Sequence, residues 1–138
     1  MFKKTITWTD YDGKEITEDF YFNLTRAEVM EMELGTEGGL EQLLTRIVKA
    51  QDYVELSKYF KQIILMSYGE KSLDGKRFIK LRQDGSKPSL DFAQTEAFSI
   101  MYMELATDDK AAAEFINGII PDEYLQESSD EVAVIKLE

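Results

Sequence analysis

The chain is 138 residues long, carries 27 acidic against 16 basic side chains, and contains neither histidine nor cysteine. That length suits one domain, and the composition excludes disulfides, thiolate nucleophiles, metal sites built on Cys or His, and imidazole acid–base chemistry. A net charge of −11 argues against phosphate backbones and anionic membranes as partners, because both are held by cationic side chains.

The N-terminal residues include no apolar stretch of the kind an export signal needs, and the longest aliphatic run, Ile63-Ile64-Leu65-Met66, is far short of the ~20 residues that span a bilayer. The chain therefore reads as soluble and cytoplasmic, and the glycosylation sequon Asn23-Leu24-Thr25 has no meaning in that setting. Residues 2–8 and 16–22 alternate in the strand manner. Phe2, Ile6 and Trp8 share one parity, as do Ile16, Phe20 and Phe22. Between them Asp10-Tyr11-Asp12-Gly13-Lys14 carries a glycine able to supply a positive φ, so a two-stranded hairpin over 2–22 is predicted, packed on helices or on another subunit.

Thr25 and Glu28 form a capping-box pattern that opens a helix over about 25–34. Gly38-Gly39 separates it from a second helix, 39–50, whose Leu40, Leu43, Leu44, Ile47 and Val48 fall on one stripe. Asp52 and Glu55 repeat the capping pattern before a third helix, 52–68, with Leu56, Tyr59, Phe60, Ile63 and Ile64 inward and Gly69 as a left-handed cap. Residues 69–89 form a connection rich in Gly and Pro with a net charge of +3, containing turns at Asp74-Gly75 and Asp84-Gly85 and a brief strand at Phe78-Ile79. A fourth helix, 90–106, presents Phe98, Met101, Tyr102 and Leu105 on a stripe that Phe92, Ile100 and Met103 make unusually wide. A fifth, 108–120, starts on the acids Asp108 and Asp109, buries Ala112, Phe115, Ile116, Ile119 and Ile120, and stops at Pro121. The sum is an α+β fold: residues 1–125 as a single globular domain, an N-terminal hairpin on about five helices, and 126–138 as an acidic tail whose Val132-Ala133-Val134-Ile135 could pair as an edge strand.

Signals for chemistry are weak. Asp10-x-Asp12-Gly13 puts glycine in the wrong place for a calcium loop, and Asp108, Asp109, Glu28 and Glu31 suit helix first turns or exposed helical faces better than paired acid–base work. Gly35-x-x-Gly38-Gly39 lacks the lysine of a phosphate loop. No cofactor, metal or catalytic residue is predicted. Methionine adapts to varied apolar partners, and residues two apart on a helix point about 200° apart, so one member of each pair Met30/Met32 and Met101/Met103 is expected to face outward or toward a partner.

Three blocks carry a resemblance: Phe20-Tyr21-Phe22-Asn23-Leu24-Thr25-Arg26-Ala27-Glu28, Ser67-Tyr68-Gly69-Glu70-Lys71-Ser72-Leu73-Asp74-Gly75-Lys76-Arg77-Phe78, and the run from Met103-Glu104-Leu105-Ala106 through Asn117-Gly118-Ile119-Ile120-Pro121. They resemble the small tail assembly chaperones of long-tailed, siphovirus-type bacteriophages and prophages of Gram-positive bacteria. The resemblance implies a non-enzymatic protein of the host cell cytoplasm that binds the tape measure protein, keeps it soluble, and gives way as tail tube protein polymerises around it. The tape measure protein is thus the expected partner, the tail tube protein a second one, and the chain itself, as a homo-oligomer, a further one considered; nucleic acid, membrane and cofactor are not expected. Met30, Met32, Phe98, Met101, Tyr102 and Met103 are the candidate client-binding residues, with the basic stretch 69–89 as the other candidate contact. Two rival readings are a structural virion component of tail or neck and an acidic phage-encoded inhibitor that mimics nucleic acid. Acidity concentrated at the ends, with nets of −5 over 1–60, +1 over 61–106 and −7 over 107–138, speaks mildly against the mimic.

Overall fold

A computed structural model of the chain describes residues 1–35 and 53–121, with side chains described for 1–31 and 58–121. The helix predicted at 39–50, the cap at Asp52, and the tail at 126–138 lie outside the described residues. Strands β1, Phe2–Thr9, and β2, Glu15–Phe22, pair antiparallel with Phe2 opposite Phe22 and Trp8 opposite Ile16. In the turn the Asp10 carboxylate accepts hydrogen bonds from the Asp12 and Lys14 amides, each at 2.9 Å, and Gly13 takes the φ of +83° that a side chain would resist. Both bonds go to Asp10 Oδ1, which is thus occupied by turn chemistry.

The register places the even-numbered residues of both strands on one face. Ile6, Trp8, Phe20 and Phe22 are buried there, with Phe2 and Ile16 packed against them. The other face is polar, with Thr5 donating to Asp19 at 2.5 Å and the Thr7 and Thr17 hydroxyls bonded at 2.8 Å. The predicted hairpin and its inward face are therefore as the alternation implies, and helices cover that face.

Two further strands extend the sheet, β3 over Tyr68–Lys71 and β4 over Phe78–Ile79, in the antiparallel order β1-β2-β3-β4. This corrects two expectations. Residues 69–89 are more than a connection, and Gly69 does not cap a helix, because positive φ is confined to Gly13, Gly75 and Gly85 among the described residues. Gly69 is a strand residue whose missing side chain admits the Phe78 ring: a Cβ there would lie 2.6 Å from that ring.

The helices are α1, Arg26–Gly35; α2, Tyr53–Ser67; α3, Pro88–Ala93; α4, Glu96–Thr107; and α5, Asp109–Ile119. The capping box forms as predicted, with Thr25 N donating to Glu28 Oε1 at 2.8 Å and Glu28 N to Thr25 Oγ1 at 3.1 Å. The single helix expected over 90–106 is instead two. Thr95 breaks it by accepting from Phe98 N while its hydroxyl donates to Phe92 O at 2.8 Å, so one side chain ends α3 and starts α4. Asp108 caps α5 through the amides of Lys110 and Ala111.

Helices α3, α4 and α5 lie against the sheet and α2 packs on α3 and α4. Between the layers is a core rich in aromatic rings. Phe22 and Phe115 meet edge-on at 5.5 Å, and Tyr68 stacks on Phe92 at 4.4 Å. From the helices Phe60, Ile63 and Ile64, then Ala97, Met101 and Leu105, then Ala112, Phe115, Ile116 and Ile119 complete it. At Gly118 the α5 backbone approaches β1 closely enough that an added Cβ would lie 2.8 Å from the Phe2 ring.

Candidate functional site

The residues singled out by sequence separate into three groups. On α4, residues spaced by four, Ala97, Met101 and Leu105, form the inward stripe, and Met101 is only 1% exposed. As a surface contact Met101 is therefore corrected: it supports α4 from beneath. Two positions on, about 200° around the helix, Met103 is 55% exposed, with Ile100 beside it on the outer face. Phe98 and Tyr102 flank the two faces, half-buried, with ring centroids 6.0 Å apart. The outer surface of α4 thus shows Ile100 and Met103, while Phe98 and Tyr102 lie on one flank, packed against the core. Met30 sits on a different helix, α1, and is 57% exposed while its neighbour Val29 is buried. Met32 lies on α1, and its side chain is outside the described residues.

The basic stretch is only partly the solvated loop its composition suggests. Lys80 is drawn inward, and its ammonium donates to Asn23 O at 2.7 Å, Glu28 Oε2 at 2.7 Å and Met66 O at 3.0 Å. All three of its donors are thereby used, fastening β4 to the start of α1 and the end of α2. Burial lowers the Lys80 pKa, and the Glu28 carboxylate works against that shift. Glu28 accordingly has two tasks, the capping box with one oxygen and the Lys80 contact with the other. Sequence reasoning missed this clamp, since a lysine within a charged loop gives no sign that its partners lie 52 and 57 positions earlier.

Arg82 is held by Glu70 and Asp91, both of which favour its charged form, and Lys71 lies over the Tyr21 ring at 4.8 Å. Asp74 and Asp84 accept from the hydroxyls of Ser72 and Ser86, respectively, as well as from nearby amides, which keeps both carboxyls below the usual aspartate range. Around β4 and the residues after it lies an open cleft of about 790 Å³, lined in part by Arg77, Ile79, Leu81 and Arg82. The arrangement offers apolar side chains, strand edge and cations, the means of holding another chain. Among the described residues no three acidic side chains are placed to hold a metal ion, and no helix is long and apolar enough to cross a membrane.

The sequence model of one family, described as phage tail assembly chaperone, matches residues 1–136. The chain belongs to the phage tail assembly chaperone family. No curated protein and no solved structure matches the chain. The exposed apolar side chains of this tail assembly chaperone's first and fourth described helices are Met30 on α1 and Ile100 and Met103 on α4. Its family membership spans both the sheet and the helices, so these surfaces belong to one matched unit rather than to an appended segment.

Proposed function

We propose that this chaperone binds the tape measure protein of a long-tailed phage or prophage of a Gram-positive host, in the host cytoplasm, and holds it soluble until tail tube protein assembles around it. The role is binding rather than catalysis, with no cofactor. Family membership over residues 1–136 carries the reading. The α4 surface supports it: Ile100 and Met103 are exposed on a helix whose opposite face, through Met101 and Leu105, is fixed in the core. A client helix laid along Ile100 and Met103, with Tyr102 at its margin, would bury these side chains without disturbing the fold, and Met30 offers a second apolar contact from α1.

Co-expression with the neighbouring tape measure gene tests the reading. The client should stay soluble and co-purify with the chain, and both effects should weaken in an Ile100→Asp, Met103→Asp double variant. A client equally soluble without the chain refutes it, and recovery of the chain as symmetric rings in purified tails favours a structural virion role instead.

A further inference from the structure

The two outer strands of the sheet differ. β4 is two residues long, whereas β1 runs for eight, Phe2–Thr9, with its outer edge unpaired among the described residues. Beside the turn Asp10 N donates to Lys14 O at 2.8 Å. Antiparallel partners alternate between pairs that exchange main-chain hydrogen bonds and pairs that do not, so the even-numbered residues of β1 turn their amides and carbonyls to β2. Lys3, Thr5, Thr7 and Thr9 turn theirs outward, and all four are exposed. No proline and no bulge interrupts this edge, and Thr5, Ile6, Thr7, Trp8 and Thr9 all favour strands, which makes it a ready template for one more. The chain itself returns to this place. At the end of α5 Gly118 lies against the Phe2 ring and Ile119 O accepts from Leu24 N at 3.0 Å, so Pro121 leaves the fold near the start of β1. Residues 122–131 come next, able to reach ~33 Å when extended against ~26 Å for the length of β1. They lead to Val132-Ala133-Val134-Ile135-Lys136-Leu137.

We propose that residues 132–137 add to the sheet as a strand beside β1, so that the chain covers its own edge. Main-chain hydrogen bonds to Lys3, Thr5, Thr7 and Thr9 would hold it. Strand alternation puts Val132, Val134 and Lys136 on one face and Ala133, Ile135 and Leu137 on the other. The lysine selects the first set for the polar face of the sheet, beside Thr5, Thr7, Thr17 and Asp19. Ile135 and Leu137 then lie on the helix side, next to the flank of α4 that faces β1. Glu104, whose carboxylate holds Lys4, marks that flank, and the exposed Ile100 shares it one turn earlier. Met103, farther round the helix, stays open to a client. A second copy is the weaker occupant of the edge, because a tethered strand is present at an effective concentration in the ~mM range and two chains of net charge −11 repel. The proposal does not depend on the client being the tape measure protein.

Amide hydrogen exchange of the full chain, followed residue by residue by NMR, tests this. The amides of Thr5, Thr7 and Thr9 should exchange on the order of tenfold or more slowly in the parent chain than in a Val134→Pro, Ile135→Pro double variant. Of two successive prolines in a strand one must face β1, where it has no N–H to donate. The amides of Ile6 and Trp8, which face β2, should be equally protected in both proteins. Should they differ, Ile135→Asp, which sets a charge against the α4 flank, replaces the double variant. Fast exchange of Thr5, Thr7 and Thr9 in the parent chain, or slow exchange that the tail variants leave unchanged, overturns the proposal. So does protection that rises with protein concentration, since a second copy would then be the occupant. If the three threonine amides behave as expected while tape measure protein is indifferent to the chain, the covered edge stands and the client reading falls.

Discussion

Replacing Lys80 with methionine keeps an unbranched apolar stem of similar reach to Cε and removes the ammonium. Three hydrogen bonds disappear, at 2.7, 2.7 and 3.0 Å, and with them the contact between β4, the entry to α1 and the end of α2. A hydrogen bond to a charged group is worth about 1.5 kcal/mol at the low end, so the three amount to ~4.5 kcal/mol before correction. Desolvation, which lowers the lysine pKa despite Glu28, opposes this gain, and burying an ammonium costs on the order of a few kcal/mol, so the expected net loss is about 2 kcal/mol. Lys4→Met is the internal control. Its ammonium makes one bond, 2.6 Å to Glu104, between more exposed groups, and should cost only about 0.5 kcal/mol. Urea unfolding followed by far-ultraviolet circular dichroism resolves the difference, with a midpoint about 1 M lower for Lys80→Met and an unchanged slope. Equal losses in the two variants, or a more stable Lys80→Met protein, would refute the clamp.

Gly69→Ala should cost about 1–3 kcal/mol in the same assay, because the new methyl must push the Phe78 ring or part β3 from β4, and Phe78→Leu should relieve much of the loss. Tyr68 has its hydroxyl pushed up to about 12, chiefly by burial and then by Glu70. An unfolded tyrosine ionises near pH 10, so this group's contribution is complete below pH ~10 and is lost as pH rises toward ~12. Ultraviolet difference titration should show a late-ionising tyrosine that Tyr68→Phe removes. The two α4 methionines should separate cleanly. Met101→Ala should lose about 2–4 kcal/mol as a core cavity, whereas Met103→Ala should leave the urea midpoint within about 0.5 kcal/mol of the parent and weaken only client co-purification.

What could be read from sequence was whatever neighbours decide. The hairpin rests on parity and one turn glycine, α5 on a single stripe and an acidic cap, and the start of α1 on residues three apart, so all were legible. Strand β3 was not. Tyr68-Gly69-Glu70-Lys71 has no inward alternation, and its place in the sheet depends on a ring nine positions later that needs a glycine beneath it. The break at Thr95 was equally hidden, because a hydroxyl can decorate a helix or end one, and only the Phe92 carbonyl and Phe98 amide decide which. On α4, spacing foretold that Met101 and Met103 would part company. Which of them goes inward was settled by where the helix begins and by the alanine and leucine sharing the Met101 stripe.

A ring seated on Gly69 and an ammonium with all three donors satisfied hold Phe78 and Lys80 in place, while the Arg82 guanidinium reaches Glu70, which the register puts on the face of Ile79. The two-residue strand Phe78–Ile79, too short to be held by ladder hydrogen bonds alone, is thereby pinned through side chains on both faces of the sheet.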